Sequence, residues 1–163
     1  IRKKGLRDMG ATLAPQSAHL VSIGLETLQM RMQKTCENGL AVAEFLSKQA
    51  QVQKVFYPGL AEHPQHERAA HLFNDQFGGI LSFELQSNID MRAFLNHLNT
   101  IITATHLGDT RTLILPVAST IFFENGAKQR EEMEISDTLV RMSIGIEDAE
   151  DLIEDLKLAF ERV

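Results

Sequence analysis

The chain has 163 residues, of which 44% are hydrophobic, enough to bury the core of one domain. Its formal net charge of −6 argues against nucleic acid or an anionic membrane surface as the main partner. It contains no apolar run long enough to span a membrane and no secretory signal, and its lone cysteine, Cys36, fits a reducing compartment. We therefore expect a cytoplasmic protein that has no nucleic-acid or membrane partner.

The N-terminal third of the chain is predicted to be helical, with a break near Gly24. After this break, apolar residues recur at steps of three and four: Leu28, Met32, Cys36, Leu40, Ala43 and Leu46. Such a stripe predicts a long N-terminal helix with one buried face. Cys36 lies on the stripe, which favours a small buried hydrophobic residue over a nucleophile.

Short apolar runs and short amphipathic runs alternate along the rest of the chain. They predict strands within residues 52–60, 77–85, 112–120 and 139–146, and helices within residues 63–73, 89–98, 127–133 and 149–160. Pro64 is expected in the first turn of its helix, and Asp148 is expected to cap the last helix. This order predicts a two-layer α+β fold, with one small, mostly antiparallel sheet covered by helices on one side.

Motifs that carry chemistry are scarce. His63, His66 and His71 are not spaced on one helical face as metal ligands would be, so capping or solvated roles are favoured and no metal site is predicted. Phe77-Gly78-Gly79 leads into a strand and is not a phosphate-binding loop. By motif alone, the chain contains no complete catalytic set.

Arg141 interrupts an otherwise apolar strand, LVRMSIGI at residues 139–146. Alternation places one set of side chains towards the core (Val140, Met142, Ile144 and Ile146) and the other set on the opposite face (Leu139, Arg141, Ser143 and Gly145). An unpaired buried charge is costly. The Arg141 face must therefore meet either water or an anion, and the strand alone does not decide between them.

A polar segment with a glycine, His106-Leu107-Gly108-Asp109-Thr110, lies between two apolar runs. Loops of this kind often carry binding groups on a rigid scaffold. An ordinary connecting turn is the alternative interpretation.

Five segments, in this order, resemble the C-terminal domain of the Cys/Met-metabolism family of pyridoxal-phosphate enzymes. They are GLETLQMRMQKTCENGLAVAEFL (24–46), VFYPGL (55–60), FGGILSFEL (77–85), HLGDTRTLI (106–114) and LVRMSIGIEDAEDLIEDL (139–156). The family includes cystathionine γ-synthase, cystathionine lyases, methionine γ-lyase and the homoserine-ester sulfhydrylases.

The resemblance implies that residues 1–163 form a single C-terminal domain of a larger enzyme. In this family, pyridoxal 5′-phosphate is held by a lysine of an S-x-T-K segment in the preceding domain, and this chain has no such segment. We therefore expect no catalytic, cofactor-binding or metal-binding residues here, and no activity of the chain alone. The resemblance also implies a homotetramer built as a dimer of dimers.

The resemblance assigns three substrate-binding residues. Arg141 matches the arginine that binds the α-carboxylate of the amino-acid substrate. His106 replaces the serine of S-L-G, which helps to seat that carboxylate, and it could donate to the carboxylate in turn. Ser119 matches the serine of H-P-A-S-[MT]-T-H, although both histidines of that motif are lost and Phe122 replaces the second.

The function expected from this resemblance is that of a cystathionine γ-synthase, which replaces the γ-substituent of an O-acylhomoserine with cysteine or sulfide. A cystathionine or methionine γ-lyase of the same family is the alternative. A non-catalytic α+β binding or assembly module is a third possibility, but such a module would have no reason to keep the LVRMSIG strand.

Overall fold

The computed structural model describes residues 4, 5, 10 and 12–163. The chain divides into two compact units, residues 1–31 and residues 32–163, and each unit is described by itself. The helical prediction for the N-terminal third is therefore assessed from residue 12 onwards, because most of the earlier residues lie outside the described part.

Two consecutive helices with a break between them confirm the predicted interruption of the helical N-terminal third. Helix α1 spans Pro15–Glu26 and helix α2 spans Leu28–Leu46, so the break lies at Thr27, just beyond the Gly24 that predicted it. Arg31 closes the end of α1, since its Nη2 donates to the carbonyl oxygen of Gly24 at 2.6 Å. A carbonyl in the last turn of a helix lacks a partner within the helix, and this hydrogen bond supplies one.

Five strands form one sheet: β1 (Val52–Phe56), β2 (Ile80–Leu85), β3 (Ile102–Thr103), β4 (Leu113–Pro116) and β5 (Leu139–Ser143). Their spatial order is β1-β2-β5-β4-β3, which places β5 at the centre. The β1–β2, β2–β5 and β4–β5 pairs are antiparallel, and the β3–β4 pair is parallel. The predicted small, mostly antiparallel sheet is confirmed. Strand β3 was not predicted, because two residues are too few to show alternation.

Four further α-helices lie in the described residues: α3 (His66–Phe73), α4 (Met91–Asn96), α5 (Gly126–Glu132) and α6 (Ala149–Phe160). Asp148 caps α6 as predicted, since its carboxylate accepts from the N–H of Glu150 at 3.2 Å. Helix α3 begins later than predicted, so that Pro64 lies before its first turn. No helix in the described residues is long and apolar enough to cross a membrane.

The core lies between one face of the sheet and the helices α2, α4 and α6. The strands contribute Leu81, Phe83, Leu85, Ile114, Val140 and Met142, and the helices contribute Val42, Ala43, Leu46, Phe94, Leu152, Leu156, Ala159 and Phe160. The strand residues share a face because Phe83 pairs with Val140, and Ile114 pairs with Met142. Helices therefore cover one side of the sheet, as the sequence predicts.

The alternation of β5 predicts three of its four core residues correctly. Val140, Met142 and Ile144 are buried, whereas Ile146 is 37% exposed. The strand ends at Ser143, and beyond this residue a period of two no longer determines where a side chain points.

The apolar stripe of α2 is buried only towards its C-terminal end. Cys36, Ala43 and Leu46 are buried, and the free thiol of Cys36 confirms its interpretation as a small core residue. Leu28 and Met32 are 39% and 41% exposed. Periodicity identifies an apolar face, but burial also requires another element to cover that face.

Asp155 is a buried carboxylate that the sequence did not single out. It lies on α6, is 5% exposed, and accepts hydrogen bonds from the N–H groups of Asn99, Thr100 and Ile101 at 2.8, 3.0 and 2.9 Å. These three donors lie just before β3. The carboxylate thus joins α6 to the segment that leads into the edge of the sheet.

We expect Asp155→Ala to destabilise the full-length protein by about 2–4 kcal/mol, because three buried N–H donors would lose their acceptor. Asp155→Asn keeps one acceptor oxygen and should cost less. Glu154→Ala is the matched control on the same helix, since Glu154 is exposed and its ion pair with Lys157 lies at the surface. Thermal unfolding followed by circular dichroism measures all three, and an Asp155→Ala midpoint equal to that of Glu154→Ala would contradict this account.

Candidate functional site

Arg141 lies at the middle of the central strand, on the face of the sheet opposite the helices. Its neighbours across the ladder are Ser82 on β2 and Leu115 on β4. The side chain is partly buried, so its charge needs partners within the protein or from a ligand.

Two backbone carbonyl groups hold the guanidinium of Arg141. Its Nη2 donates to the carbonyl oxygens of Thr105 and His106 at 3.2 and 3.1 Å. Its Nε is buried and has no acceptor among the residues that the structure describes. A buried donor without a partner costs about 1–3 kcal/mol, and more when it is charged. Within the described part of the chain, both acceptors of this guanidinium are neutral carbonyl groups, which suits the binding of an anion.

The segment that supplies these carbonyls is the 104–111 loop, which joins β3 to β4 and rests on β5 and the residues after it. The N–H of Gly108 donates to Oγ of Ser143 at 3.0 Å, and the N–H of Ile146 donates to the carbonyl oxygen of Thr110 at 2.9 Å. Gly108 has φ of +75°, a left-handed conformation that glycine adopts without strain. The loop therefore has defined anchors along its length.

A second set of hydrogen bonds fixes the point where the loop enters β4. The hydroxyl of Thr112 donates to Glu147 Oε2 at 2.8 Å and accepts from the N–H of Gly145 at 2.9 Å. A Cβ on Gly145 would lie 2.3 Å from the carbonyl oxygen of Thr110 and 2.6 Å from the carbonyl carbon of Arg111. Only glycine at position 145 lets these two backbone segments approach so closely.

Asn38 on helix α2 supports the same junction from the core side. It is 1% exposed, and its Nδ2 donates to the carbonyl oxygens of Gly145 and Glu147 at 3.2 and 2.8 Å. A buried amide that bonds two backbone groups fixes their separation. The connection between β5 and α6 is therefore held both by the helix layer and by the 104–111 loop.

Asp109 and Arg111 form an ion pair within the loop. Nη2 of Arg111 lies 2.9 Å from Oδ2 of Asp109, and the backbone N–H of Arg111 donates to Oδ1 at 3.1 Å. The side-chain hydrogen bonds from Arg111, followed by the backbone one, hold the pKa of Asp109 well below its usual range. The side-chain hydrogen bonds with Asp109, followed by its negative charge, raise the pKa of Arg111. This end of the loop thus carries a fixed, internally balanced pair of charges.

The structure brings two of the three predicted site residues together. Arg141 contacts His106, although it does so through the backbone carbonyl, while the imidazole side chain is exposed. Ser119 is exposed in the turn after β4, four residues beyond the strand partner of Arg141, and the described hydrogen bonds of Arg141 go to the loop rather than to Ser119. That these residues bind substrate stays a prediction.

Four residues that shape the site were not singled out as site residues: Ser143, Thr112, Glu147 and Asn38. A signal was available for Ser143, since it lies two residues after Arg141 in a strand and so shares its face. The others gave no signal, because Thr112 and Glu147 are 35 residues apart and Asn38 is more than 100 residues from its acceptors.

The histidines near α3 make local contacts. Nδ1 of His66 lies 2.9 Å from the carbonyl oxygen of Pro58, and its ring stacks on Phe77. Nδ1 of His63 accepts from the N–H of Gln65. Within the described part of the chain, no three His, Cys, Asp or Glu residues are grouped so that they could hold a metal ion.

Comparison with known proteins identifies the family to which the chain is similar. A family model described as Cys/Met metabolism PLP-dependent enzyme matches residues 2–161. The chain belongs to this family. The family is one of enzymes, so the interpretation as a non-catalytic assembly module loses its support. Pyridoxal phosphate is confirmed as the cofactor of the family.

Relatives within the Cys/Met metabolism family carry several different names. An L-methionine gamma-lyase of Fusobacterium nucleatum subsp. polymorphum is 42% identical over 165 residues, which cover 100% of this chain and 42% of the relative. An O-acetyl-L-homoserine sulfhydrylase of Thermus thermophilus is 39% identical, with 97% of this chain and 38% of the relative covered. The chain thus spans about two fifths of the length of these curated relatives.

A solved structure of the family matches the fold. The cystathionine gamma synthase of Xanthomonas oryzae pv. oryzae, in complex with cystathionine, superposes with a TM-score of 0.83 at 41% identity. The match covers 95% of this chain and 40% of the other. The predicted fold class and family are therefore confirmed, while the particular reaction is not decided, because the relatives catalyse several.

The described residues of this chain do not fit the pyridoxal phosphate site of a Cys/Met metabolism enzyme. Residues 12–163 contain five lysines, and none lies on β4, on β5 or on the 104–111 loop. Two of them have other partners, since Lys54 lies over the ring of Phe56 and Lys157 pairs with Glu154. The described residues instead provide the guanidinium of Arg141, bound by two carbonyl groups, and the 104–111 loop, which is hydrogen-bonded to β5.

We expect Arg111→Gln to move the pKa of Asp109 part of the way back to its ordinary range, because the guanidinium hydrogen bonds and charge would be lost while the backbone N–H of residue 111 still donates. A lowered folded-state pKa means that the pair stabilises the loop above the ordinary aspartate pKa and loses this effect as pH falls through the lowered value. Carboxyl ¹³C chemical shifts followed against pH report the pKa. Arg92→Gln, at an exposed position on α4, is the control, and an unchanged Asp109 pKa in Arg111→Gln would contradict this cause.

Proposed function

We propose that this chain binds the α-carboxylate of an amino-acid substrate through Arg141, within a larger pyridoxal-phosphate-dependent enzyme of sulfur amino-acid metabolism. The single observation that carries the proposal is the guanidinium of Arg141 on the central strand, held by two neutral carbonyl groups and left with a buried, unpaired Nε among the described residues. A carboxylate would supply both the missing acceptor and the missing negative charge.

The chemistry of the guanidinium supports a carboxylate as its ligand. Arginine donates through a planar fork that fits the two oxygens of a carboxylate, so binding fixes orientation as well as charge. The Nη2 contacts with the loop carbonyls restrict rotation of this fork. A carboxylate held in this way presents the rest of the amino acid in one direction, which is the part that a positioning domain contributes to catalysis.

Pyridoxal phosphate, bound elsewhere in the full-length protein, would supply the electron sink for reaction at the amino-acid carbons. This chain would supply the carboxylate site, with the exposed His106 and Ser119 as candidates for contacts at its margin. We propose that the chain alone is inactive, that the full-length protein is cytoplasmic, and that it assembles as a homotetramer.

Two reactions are proposed for the full-length protein. The first is the γ-synthase reaction predicted from the sequence, replacement of the γ-substituent of an O-acylhomoserine by cysteine or sulfide. The second is elimination of the γ-substituent of methionine, favoured by relatives named L-methionine gamma-lyase at 41–42% identity over nearly the whole chain. Both use the same α-carboxylate contact, so Arg141 serves either.

We expect Arg141→Ala to weaken binding of an amino-acid ligand to the full-length holoenzyme by about 2–5 kcal/mol, because the buried charge contact with the carboxylate is lost. Arg141→Lys keeps the positive charge but loses the planar guanidinium, so its affinity for the ligand should lie between those of the wild type and Arg141→Ala. Titration calorimetry with L-norleucine, which lacks a γ-leaving group, measures binding without turnover. Arg92→Ala is the control, and unchanged affinity in Arg141→Ala would move the carboxylate site elsewhere.

The reaction is decided by product analysis with the full-length holoenzyme. We expect γ-elimination to release methanethiol from methionine, and γ-synthase activity to form cystathionine from an O-acylhomoserine and cysteine. Both assays are run on the same preparation, with Arg141→Ala as the negative control. If neither substrate is converted while pyridoxal phosphate is bound, both proposed reactions are wrong.

A further inference from the structure

We infer that Ser143 is a positioning residue for the carboxylate site, since its hydroxyl sets the 104–111 loop, whose carbonyls in turn orient the guanidinium of Arg141. This inference rests on the proposed function, because it assumes that Arg141 binds the substrate carboxylate. Ser143 is not itself placed in contact with substrate.

The first step is the location of Ser143. It lies two residues after Arg141 on β5, so both side chains point to the same face of the sheet, about 7 Å apart along the strand. Ser143 is 2% exposed and pairs across the ladder with Leu113. It is a buried polar side chain on the face opposite the main core, directly under the loop.

The second step is what the hydroxyl holds. Oγ of Ser143 accepts from the N–H of Gly108 at 3.0 Å, at the turn where Gly108 has φ of +75°. Three residues earlier, the carbonyl oxygen of Thr105 accepts from Arg141. Two side chains of β5 thus hold residues 105–108 at both ends. Arg141 donates to the carbonyl of Thr105, and Ser143 accepts from the N–H of Gly108.

The third step is the consequence for Arg141. Nη2 donates to the carbonyls of Thr105 and His106, and these lie where the loop places them. If the Gly108 anchor is lost, the guanidinium is the one described contact that still holds residues 105–108 against β5. The guanidinium then gains freedom to rotate, and its remaining donors are no longer fixed towards the ligand.

The fourth step separates positioning from general stability. The far end of the loop has its own anchors, since Thr112 bonds Glu147 and Gly145, and the N–H of Ile146 bonds the carbonyl of Thr110. Removing the Ser143 hydroxyl leaves all of these in place. Its loss should therefore act on the half of the loop that holds Arg141 and leave the fold intact.

The test compares two ligands on the full-length holoenzyme by titration calorimetry. L-norleucine carries the α-carboxylate, and pentylamine is the same chain and amine without it. We expect Ser143→Ala to raise the Kd of L-norleucine about 3- to 10-fold, the effect of one lost hydrogen bond, and to leave the Kd of pentylamine unchanged. A merely structural role would weaken both ligands alike.

Ser136→Ala is the matched control. The hydroxyl of Ser136 donates to Glu84 Oε1 at 2.6 Å on the same face of the sheet but contacts a different part of it. We expect this variant to bind both ligands as the wild type does. Ser143→Cys keeps the shape of the side chain with a slightly larger atom and a weaker acceptor, and it replaces Ser143→Ala if that variant does not fold.

A double-mutant cycle completes the test. If Ser143 acts through Arg141, Ser143→Ala has no further effect on L-norleucine binding once Arg141→Ala is present. The inference is overturned if Ser143→Ala behaves like Ser136→Ala, if both ligands are weakened equally, or if the two substitutions add independently. Failure of the proposed function looks different, since Arg141→Ala alone would then leave L-norleucine binding unchanged.

Discussion

The positive charge of Arg141 on the central strand is the constraint around which this side of the sheet is organised. A guanidinium that is partly buried between two neighbouring strands needs acceptors, and those found among the described residues are neutral carbonyl groups of the 104–111 loop. The loop must therefore stay close to β5. Hydrogen bonds from Gly108 and Ile146, together with the absence of a side chain at Gly145, allow that close approach.

The two faces of the sheet are stabilised in different ways. On the helix side, apolar side chains such as Phe83, Val140 and Met142 pack against α2, α4 and α6 without direction-specific contacts. On the Arg141 side, hydrogen bonds that depend on direction fix a loop. A carboxylate site needs hydrogen-bond donors in fixed directions. The proposed binding function therefore suits the face of the sheet that carries the directional contacts.

Family membership and the site geometry constrain function to different extents. The family gives the cofactor and the class of chemistry, and the chain covers about two fifths of the length of its relatives. The geometry of the site shows in addition which groups bind the guanidinium of Arg141. His106 and Phe122 differ from the residues expected by resemblance, and their influence on the choice of substrate stays a prediction.

The sequence alone predicted the order of most helices and strands, the core face of β5 and the cap at Asp148, because each depends on local periodicity or on a capping residue, and it singled out Arg141 by its motif. It failed for Ile146, for strand β3 and for the exposed start of α2, where the extent of an element or its cover matters. Only the tertiary structure revealed the anchors of the loop and the acceptor role of Asp155. Hydrogen bonds between residues 35 to 109 positions apart leave no local pattern, since their partners meet only when the chain is folded.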